Sequence, residues 1–441
     1  LSIDKATILK RMDEALRLSE NIGLDSASVG CTVEDGFAVT VRQGDVESIE
    51  HHKQVGLVLS VYTKKRNGSV YTTSLSPQAI VDAVYKAKSL AEMLEPDYAA
   101  GLPEKEELAF NPVELSLNHP WEITPREAID IGVELEALSH AVDKRVALCD
   151  EVSISTYIGY RFFANSLGMR AHYSTSEHTK SISLVAVEGD SRQADYEYSQ
   201  ARVASELWEN EKLAEIAAKK VVSRLGASQL TTRRCPVVFA PSVAKGLLRC
   251  LISAVSGGAL YRRSSFLLDS CGETLFPKNI QIYQRPHLPM CIGSAPFDSE
   301  GVRTRDYDLV SNGLLQQYIL GSYSARKLGL QTTGNSGGVY NLMIEPTYKD
   351  QAALLTEMGT GLLVTEMMGQ GVNITTGTYS RGVFGYWVEK GEIQYPVEEI
   401  TIAGNLKEIF AGLIGVGGDI DSRGRVHTGS LLINEMMLAG S

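Results

Sequence analysis

The stretch that most limits the fold is Cys235-Pro-Val-Val-Phe-Ala-Pro-Ser-Val-Ala-Lys-Gly-Leu-Leu-Arg-Cys-Leu-Ile-Ser-Ala-Val-Ser-Gly-Gly258. It predicts a short buried strand over 237–240, a turn at Pro241-Ser242, and an apolar helix. Proline and serine suit the entrance of that helix, and Gly257-Gly258 reads as its exit. The run after it, Ala259-Leu-Tyr-Arg-Arg-Ser-Ser-Phe-Leu267, is read as an exposed basic and aromatic segment.

At 441 residues the chain is too long for one ordinary core, so two or three domains are expected. Three units are read: 1–113, 114–226 and 227–441. In the first, Ile8, Leu9, Met12 and Leu16 recur at helical spacing and predict a helix over 3–22. Alternating stretches at 26–34, 37–43, 46–51, 56–64 and 69–73 predict antiparallel strands, with Asp35-Gly36 and Asn67-Gly68 as hairpin turns. A second helix opens at Ser76-Pro77 and runs to Met93. Residues 94–120, with four prolines at Pro96, Pro103, Pro112 and Pro120, read as a surface connector.

The second unit repeats that outline, which suggests an old duplication. A capping-box pattern, Thr124-Pro125-Arg126-Glu127, starts a helix to about residue 142. Strands over 146–161 and 169–187 and a helix over 206–225 follow. The third unit is rich in short strands and tight turns. Strands are predicted over 280–283, 306–310, 314–320, 361–368, 385–388, 392–395 and 431–439, with a helix over 406–413 capped by Asn405. The fold class expected is α+β: N-terminal helix and antiparallel-sheet units followed by a C-terminal β-rich, irregular barrel-like domain.

A formal charge of −11 argues against a nucleic-acid partner. No apolar window is long enough for a membrane span, and the first residues lack the layout of a signal peptide. The six cysteines (Cys31, Cys149, Cys235, Cys250, Cys271 and Cys291) include no C-x-x-C pair. Together these predict reduced thiols and a cytoplasmic location.

Several motifs, taken together, resemble one family. They are Gly257 to Leu267, Asp298-Ser-Glu-Gly-Val-Arg-Thr304, Tyr323-Ser-Ala-Arg-Lys-Leu-Gly329, Thr333-Gly-Asn335, the run from Thr376 to Gly391, and the run from Tyr395 to Asn405. The chain is similar along its whole length to the PmbA/TldE branch of the TldD/PmbA peptidase family. In the TldD branch the helix after Pro241-Ser242 carries His-Glu-x-x-x-His, which holds zinc and a general base. Matched through Ala254-Val255, those positions here read Ile252-Ser-Ala-Val-Ser-Gly257. The branch's third ligand, a cysteine, has no counterpart in the matching stretch 417–429.

The resemblance implies a cytoplasmic heterodimer in which a TldD-like partner supplies zinc and this chain holds no cofactor. A hollow between the subunits would admit unfolded peptide. The same resemblance implies roles in peptide-antibiotic maturation and antitoxin breakdown. A homodimer is expected to stand in when the partner is missing.

The candidate site residues follow from these readings. Ile252 and Gly257 offer no ligand atom and Ser253 is no general base, so the helix is read as structural. Arg249 is the candidate to hold a peptide carboxylate there, and its charge would repel a metal. Tyr261, Arg262, Arg263 and Phe266 are candidate interface residues, with a solvated loop as the alternative. Residues 371–380, including Tyr379 and Ser380, read either as an edge that pairs with extended peptide or as an ordinary strand.

Thr333, Gly334 and Asn335 belong to a glycine-rich loop that could approach a peptide backbone. That loop also fits Gly-x-Ser-x-Gly around Ser336, but a strand pattern follows where the motif needs a helix. His172 and His178 share a strand face ~20 Å apart, too far for one ion. His287 and Cys291 are flanked by prolines that exclude a helix.

The function expected is that of the zinc-free subunit of a heterodimeric metallopeptidase, inactive alone. The alternatives are an adaptor without proteolysis and a serine hydrolase using Ser336.

Overall fold

The structure is a computed structural model that describes residues 4–440. The first unit comprises α1 (Lys5–Asn21), β1 (Ser26–Arg42), β2 (Asp45–Thr63), β3 (Arg66–Thr72) and α2 (Pro77–Met93). Ile3, predicted as the start of α1, lies outside the described residues. Next come α3 (Pro125–Val142), β4 (Val146–Asn165), β5 (Arg170–Glu188), β6 (Ser191–Ala201) and α4 (Asn210–Val222). All six strands form one antiparallel sheet in the order β3-β2-β1-β4-β5-β6. The two units therefore join edge to edge through β1 and β4.

Parity puts Val29, Cys31 and Val33 on the same face of β1 as Val39. The first three pack in the core under α1 and α2, and Val39 in the core under α3 and α4. The sheet thus keeps its helices on one side. Thr124 caps α3 by the reciprocal bond with Glu127 that the sequence predicts.

Both glycine hairpins predicted in the first unit are corrected by the structure. Asp35-Gly36 lies inside the continuous strand β1, where a Cβ on Gly36 would overlap the Thr156 carbonyl. Asn67-Gly68 lies inside β3, where a Cβ on Gly68 would overlap the Ala87 carbonyl of α2. These glycines serve close packing. The turns fall instead at Gln43-Gly44 and Lys64-Lys65, all four residues in the left-handed region. The prediction also missed β6, an alternating polar strand.

The C-terminal part begins with β7 (Arg233–Phe239), α5 (Pro241–Ala254) and α6 (Gly257–Tyr261). It continues through β8 (Ile282–Gln284), β9 (Tyr307–Ser311), β10 (Leu314–Leu315), α7 (Ser322–Leu328), β11 (Leu342–Ile344) and α8 (Gln351–Met358). Then follow β12 (Gly361–Met368), β13 (Val372–Asn373), β14 (Thr378–Glu389), β15 (Glu392–Asn405) and α9 (Leu406–Ala411). The last strands are β16 (Leu413–Val416), β17 (Val426–His427) and β18 (Leu431–Ala439).

The order β12-β7-β18-β15-β14 closes on itself because β12 also pairs with β14, making the barrel expected from the spacing of strands. A smaller sheet, β10-β9-β8-β11-β17, lies beside it. The strand predicted over 314–320 is only two residues long, because Gln316 turns back to bond Leu309. Among the described residues no helix is long and apolar enough to cross a membrane.

Candidate functional site

The barrel aims α5. Val237, Val238 and Phe239 are fully buried in β7, and Pro241 takes the first helical position. Val243, Ala244, Leu247, Leu248, Leu251 and Ala254 bury one side of the helix. Gly246, Arg249, Cys250 and Ser253 form the outward stripe. The helix stops at Ala254, so the predicted exit at Gly257-Gly258 is corrected: the paired glycines open α6. Gly257 is there because a Cβ would overlap the Ser324 side chain of α7.

At the positions matched to the zinc helix, Ile252 packs against the core and Gly257 has no side chain. Among the described residues no three His, Cys, Asp or Glu side chains converge as a metal site. The residues do not fit zinc. Arg249 is exposed on this face.

The interface candidates sit beside it. Tyr261 meets Tyr323 of α7 edge-on at 5.7 Å, and the Arg262 guanidinium lies over Tyr261. Lys327 reaches both Tyr323 and Tyr98, and its ammonium bonds Asp97 at 2.8 Å. The bonds from Lys327 and Tyr323 hold the Asp97 carboxyl down to about 2. Tyr98 is 65% exposed, so the result is an aromatic and cationic knot open to solvent. Arg263 is exposed in the left-handed region, and Phe266 tucks against Phe410. The segment predicted as exposed therefore opens on the end of α6, with Leu260, Ser265 and Leu267 buried.

Residues 371–380 form a tight hairpin of β13 with β14 at the end of its sheet. The Ser380 amide donates to the Gly371 carbonyl at 2.7 Å. Tyr379 is buried, its hydroxyl 3.1 Å from Met367 Sδ. The Phe266 amide donates to the Ile374 carbonyl, which ties this hairpin to the segment after α6. Arg249, Tyr379, Ser380 and 261–266 thus share one region of the molecule.

Thr333, Gly334 and Asn335 lie elsewhere and are buried. Thr333 Oγ1 accepts from the Leu320 amide, and Asn335 donates to Gln284 and the Gly338 carbonyl. Gly334 sits at φ 73°, where a Cβ would crowd the Arg303 carbonyl.

The Ser336 amide donates to Asp298, whose carboxylate also receives the amides of Glu300 and Val302. Burial pushes Asp298 up to about 7 against those three donors. His287 bonds Thr304 and His427 bonds the Gly424 carbonyl, so neither histidine activates Ser336. His178 is buried between Thr156 and the His119 carbonyl, and His172 stacks on Phe162.

A cleft of about 980 Å³ at the opposite end of α5 has no signal in the sequence. It lies between β6, the entrance of α5 and the loop carrying Asp421 and Arg423. Lys245 reaches from α5 to Asp421 at 2.9 Å, and Arg423 pairs with both Asp421 and Glu197 of β6. Although burial works upward on Asp421, bonds from Arg423 and Lys245 hold it down at about 2. The partners come from three distant stretches, so no local pattern announces them.

Two family models match: the PmbA/TldA metallopeptidase central domain over 118–225 and its C-terminal domain over 232–440. The Metalloprotease PmbA of Escherichia coli O157:H7 is 44% identical over 94% of this chain and 92% of its own length. The crystal structure of a candidate modulator of DNA gyrase from Bacteroides thetaiotaomicron VPI-5482 has a TM-score of 0.92 at 23% identity, covering 98% of this chain and 99% of that one. The structure of TldE from Thermococcus kodakarensis has a TM-score of 0.84 at 21% identity, over 98% of this chain and 100% of that one.

Proposed function

This chain belongs to the PmbA/TldD metallopeptidase family, and from that premise we propose that it is the zinc-free, peptide-positioning subunit of a cytoplasmic heterodimer. Its partner is a TldD-like chain that holds the zinc and carries out the hydrolysis. This chain contributes a wall of the peptide chamber, where orientation alone accelerates a reaction. Its substrates are unfolded peptides, as in peptide-antibiotic maturation and antitoxin breakdown.

The observation that carries this reading is the helix α5 itself. Where zinc would need imidazoles, Ile252 is committed to packing and Gly257 to contact with Ser324. The candidate peptide contacts Arg249 and Ser380, with Tyr379 buried behind them, and the candidate anchors Tyr261, Arg262, Arg263 and Phe266, lie around this helix. The hairpin at 371–380 offers backbone to an extended chain. Thr333, Gly334 and Asn335 shape the loop behind α7 and support the chamber wall from within.

The test is metal content and peptidase activity of the purified chain, alone and after mixing with a TldD-like subunit. The expected result is no stoichiometric zinc and no cleavage alone, with cleavage gained on mixing. One zinc per chain, lost together with activity on chelation, would overturn the reading. Stable association with an unrelated protein and no peptidase in any mixture would favour an adaptor.

A further inference from the structure

Arg381 of β14 carries a guanidinium that nothing among the described residues answers. Its Nε is sealed from solvent and has no hydrogen-bond acceptor. No carboxylate pairs with it among the described residues. Arg66, Arg224 and Arg305 also leave Nε bare; the Nη atoms of Arg224 and Arg305 hold Asp195, Glu366 and Glu107, whereas Arg66, on the edge strand β3, shares the unanswered state of Arg381 but lies far from α5 in the other sheet. A buried polar group without a partner is costly to keep, and more so a charged one. The chain also carries eleven more acidic than basic side chains, so an unanswered arginine is not for want of carboxylates.

The surroundings of Arg381 are neutral. Tyr379, two residues back on β14, lies on the same side of the strand. Its hydroxyl contacts Met367, and Met367 in turn covers Gly246 on the outward stripe of α5. One turn further along that stripe is Cys250. Burial raises both the Cys250 thiol and the Tyr379 phenol, and both feel the pull of the Arg381 charge in the other direction. At neutral pH neither is an anion. Arg249, next to Cys250, adds a second cation, exposed and with no ion pair among the described residues. The face therefore presents one half-buried guanidinium and one exposed charge, with small and neutral groups between them.

The two Nη atoms of a guanidinium lie side by side and match the two oxygens of a carboxylate, so the open end of Arg381 can take one while its Nε stays sealed. The overall negative charge disfavours a polyanion, so a single carboxylate is the fitting ligand. We propose that Arg381, with Arg249 as the outer cation, is a carboxylate-binding site that anchors an extended peptide between α5 and β14. This rests on the reading of the chain as a peptide-positioning subunit. The carboxylate is the peptide's free C-terminus or an acidic side chain.

The test is fluorescence anisotropy with labelled, unstructured ten-residue peptides, on the full chain alone and on its zinc-depleted assembly with a TldD-like subunit. One arm compares a C-terminal acid with its amide. The other compares a central Glu with Gln in an amidated peptide. At least one arm is expected to show tighter binding of the carboxylate by about tenfold. Arg381→Met should abolish the preference and leave neutral peptides unaffected. Arg381→Lys, which keeps charge without the fork, should retain part of it, and Arg249→Ala should reduce it less.

Arg381→Met should also melt no lower than the parent, because no internal bond is lost. If Arg381→Met does not fold, Arg381→Lys carries the comparison. No preference in either arm, or a preference that survives Arg381→Met, overturns the proposal. So does loss of assembly with the preference intact, which would assign the arginine to a partner carboxylate. A preference seen on a chain that adds nothing to peptidase activity would keep the site and overturn the subunit reading.

Discussion

Ser336 shows how a motif and its geometry part company. Its sequence context satisfies Gly-x-Ser-x-Gly, yet its amide is held by Asp298 and both nearby histidines in the chain order bond other groups. The Ser336→Ala variant is therefore expected to leave peptidase activity of the assembled pair within about threefold. Loss of several orders of magnitude with assembly intact would make the serine a nucleophile. That positions 252 and 257 offer no zinc ligand is a matter of residue type alone, since isoleucine and glycine carry no ligand atom. The bare Arg381 was not legible, because its lack of a partner depends on which neutral groups β14 and α5 bring beside it.

Elements were read well where one local pattern decides them. The helix α3 starts where Thr124 and Glu127 complete a capping box, and α2 starts where Ser76 caps Ala79. Glycines misled the reading of strands. Gly36 and Gly68 looked like turn residues, but each makes room for a neighbouring backbone, a demand set by tertiary packing. The same holds for Gly257, which lets α6 approach α7. That approach builds the exposed knot of Tyr261, Arg262, Tyr323, Lys327 and Tyr98, of which sequence reading found only the first two. Tyrosine and arginine on a rigid, exposed platform suit an interface anchor. Replacing Tyr261 and Arg262 together by Ala is expected to weaken association with the TldD-like subunit by more than ~1 kcal/mol. Analytical ultracentrifugation measures this directly, and unchanged association would make the segment ordinary surface.

At the scale of the molecule, a chain of buried charge runs from the helix-backed sheet into the barrel. Glu197 of β6 meets Arg423, Arg423 meets Asp421, and Asp421 meets Lys245 of α5. Both Lys245 and Asp421 are under a tenth exposed, so salt screens them weakly. The pH dependence follows from the sign of the shift. The Asp421 carboxyl falls from 3.8 when free to about 2 in the fold. A depressed acid contributes stability above its unfolded value and loses it as pH falls through the folded one. The contribution, about 2 kcal/mol, should be whole above pH 4 and gone below pH 2.

Asp298 acts in the opposite sense, since its folded value of about 7 lies above 3.8 and its contribution fades as pH rises through neutrality. The parent's pH profile therefore mixes the two, and comparison with Asp421→Asn separates them. That variant keeps the shape and leaves Lys245 buried without its counter-charge, which typically costs ~3–5 kcal/mol. Denaturant unfolding should show the full gap between parent and variant at pH 7, narrowing as pH falls from about 4 towards 2. A gap that stays constant over that range would mean that Asp421 is not the charge that neutralises Lys245 and positions Arg423 against β6.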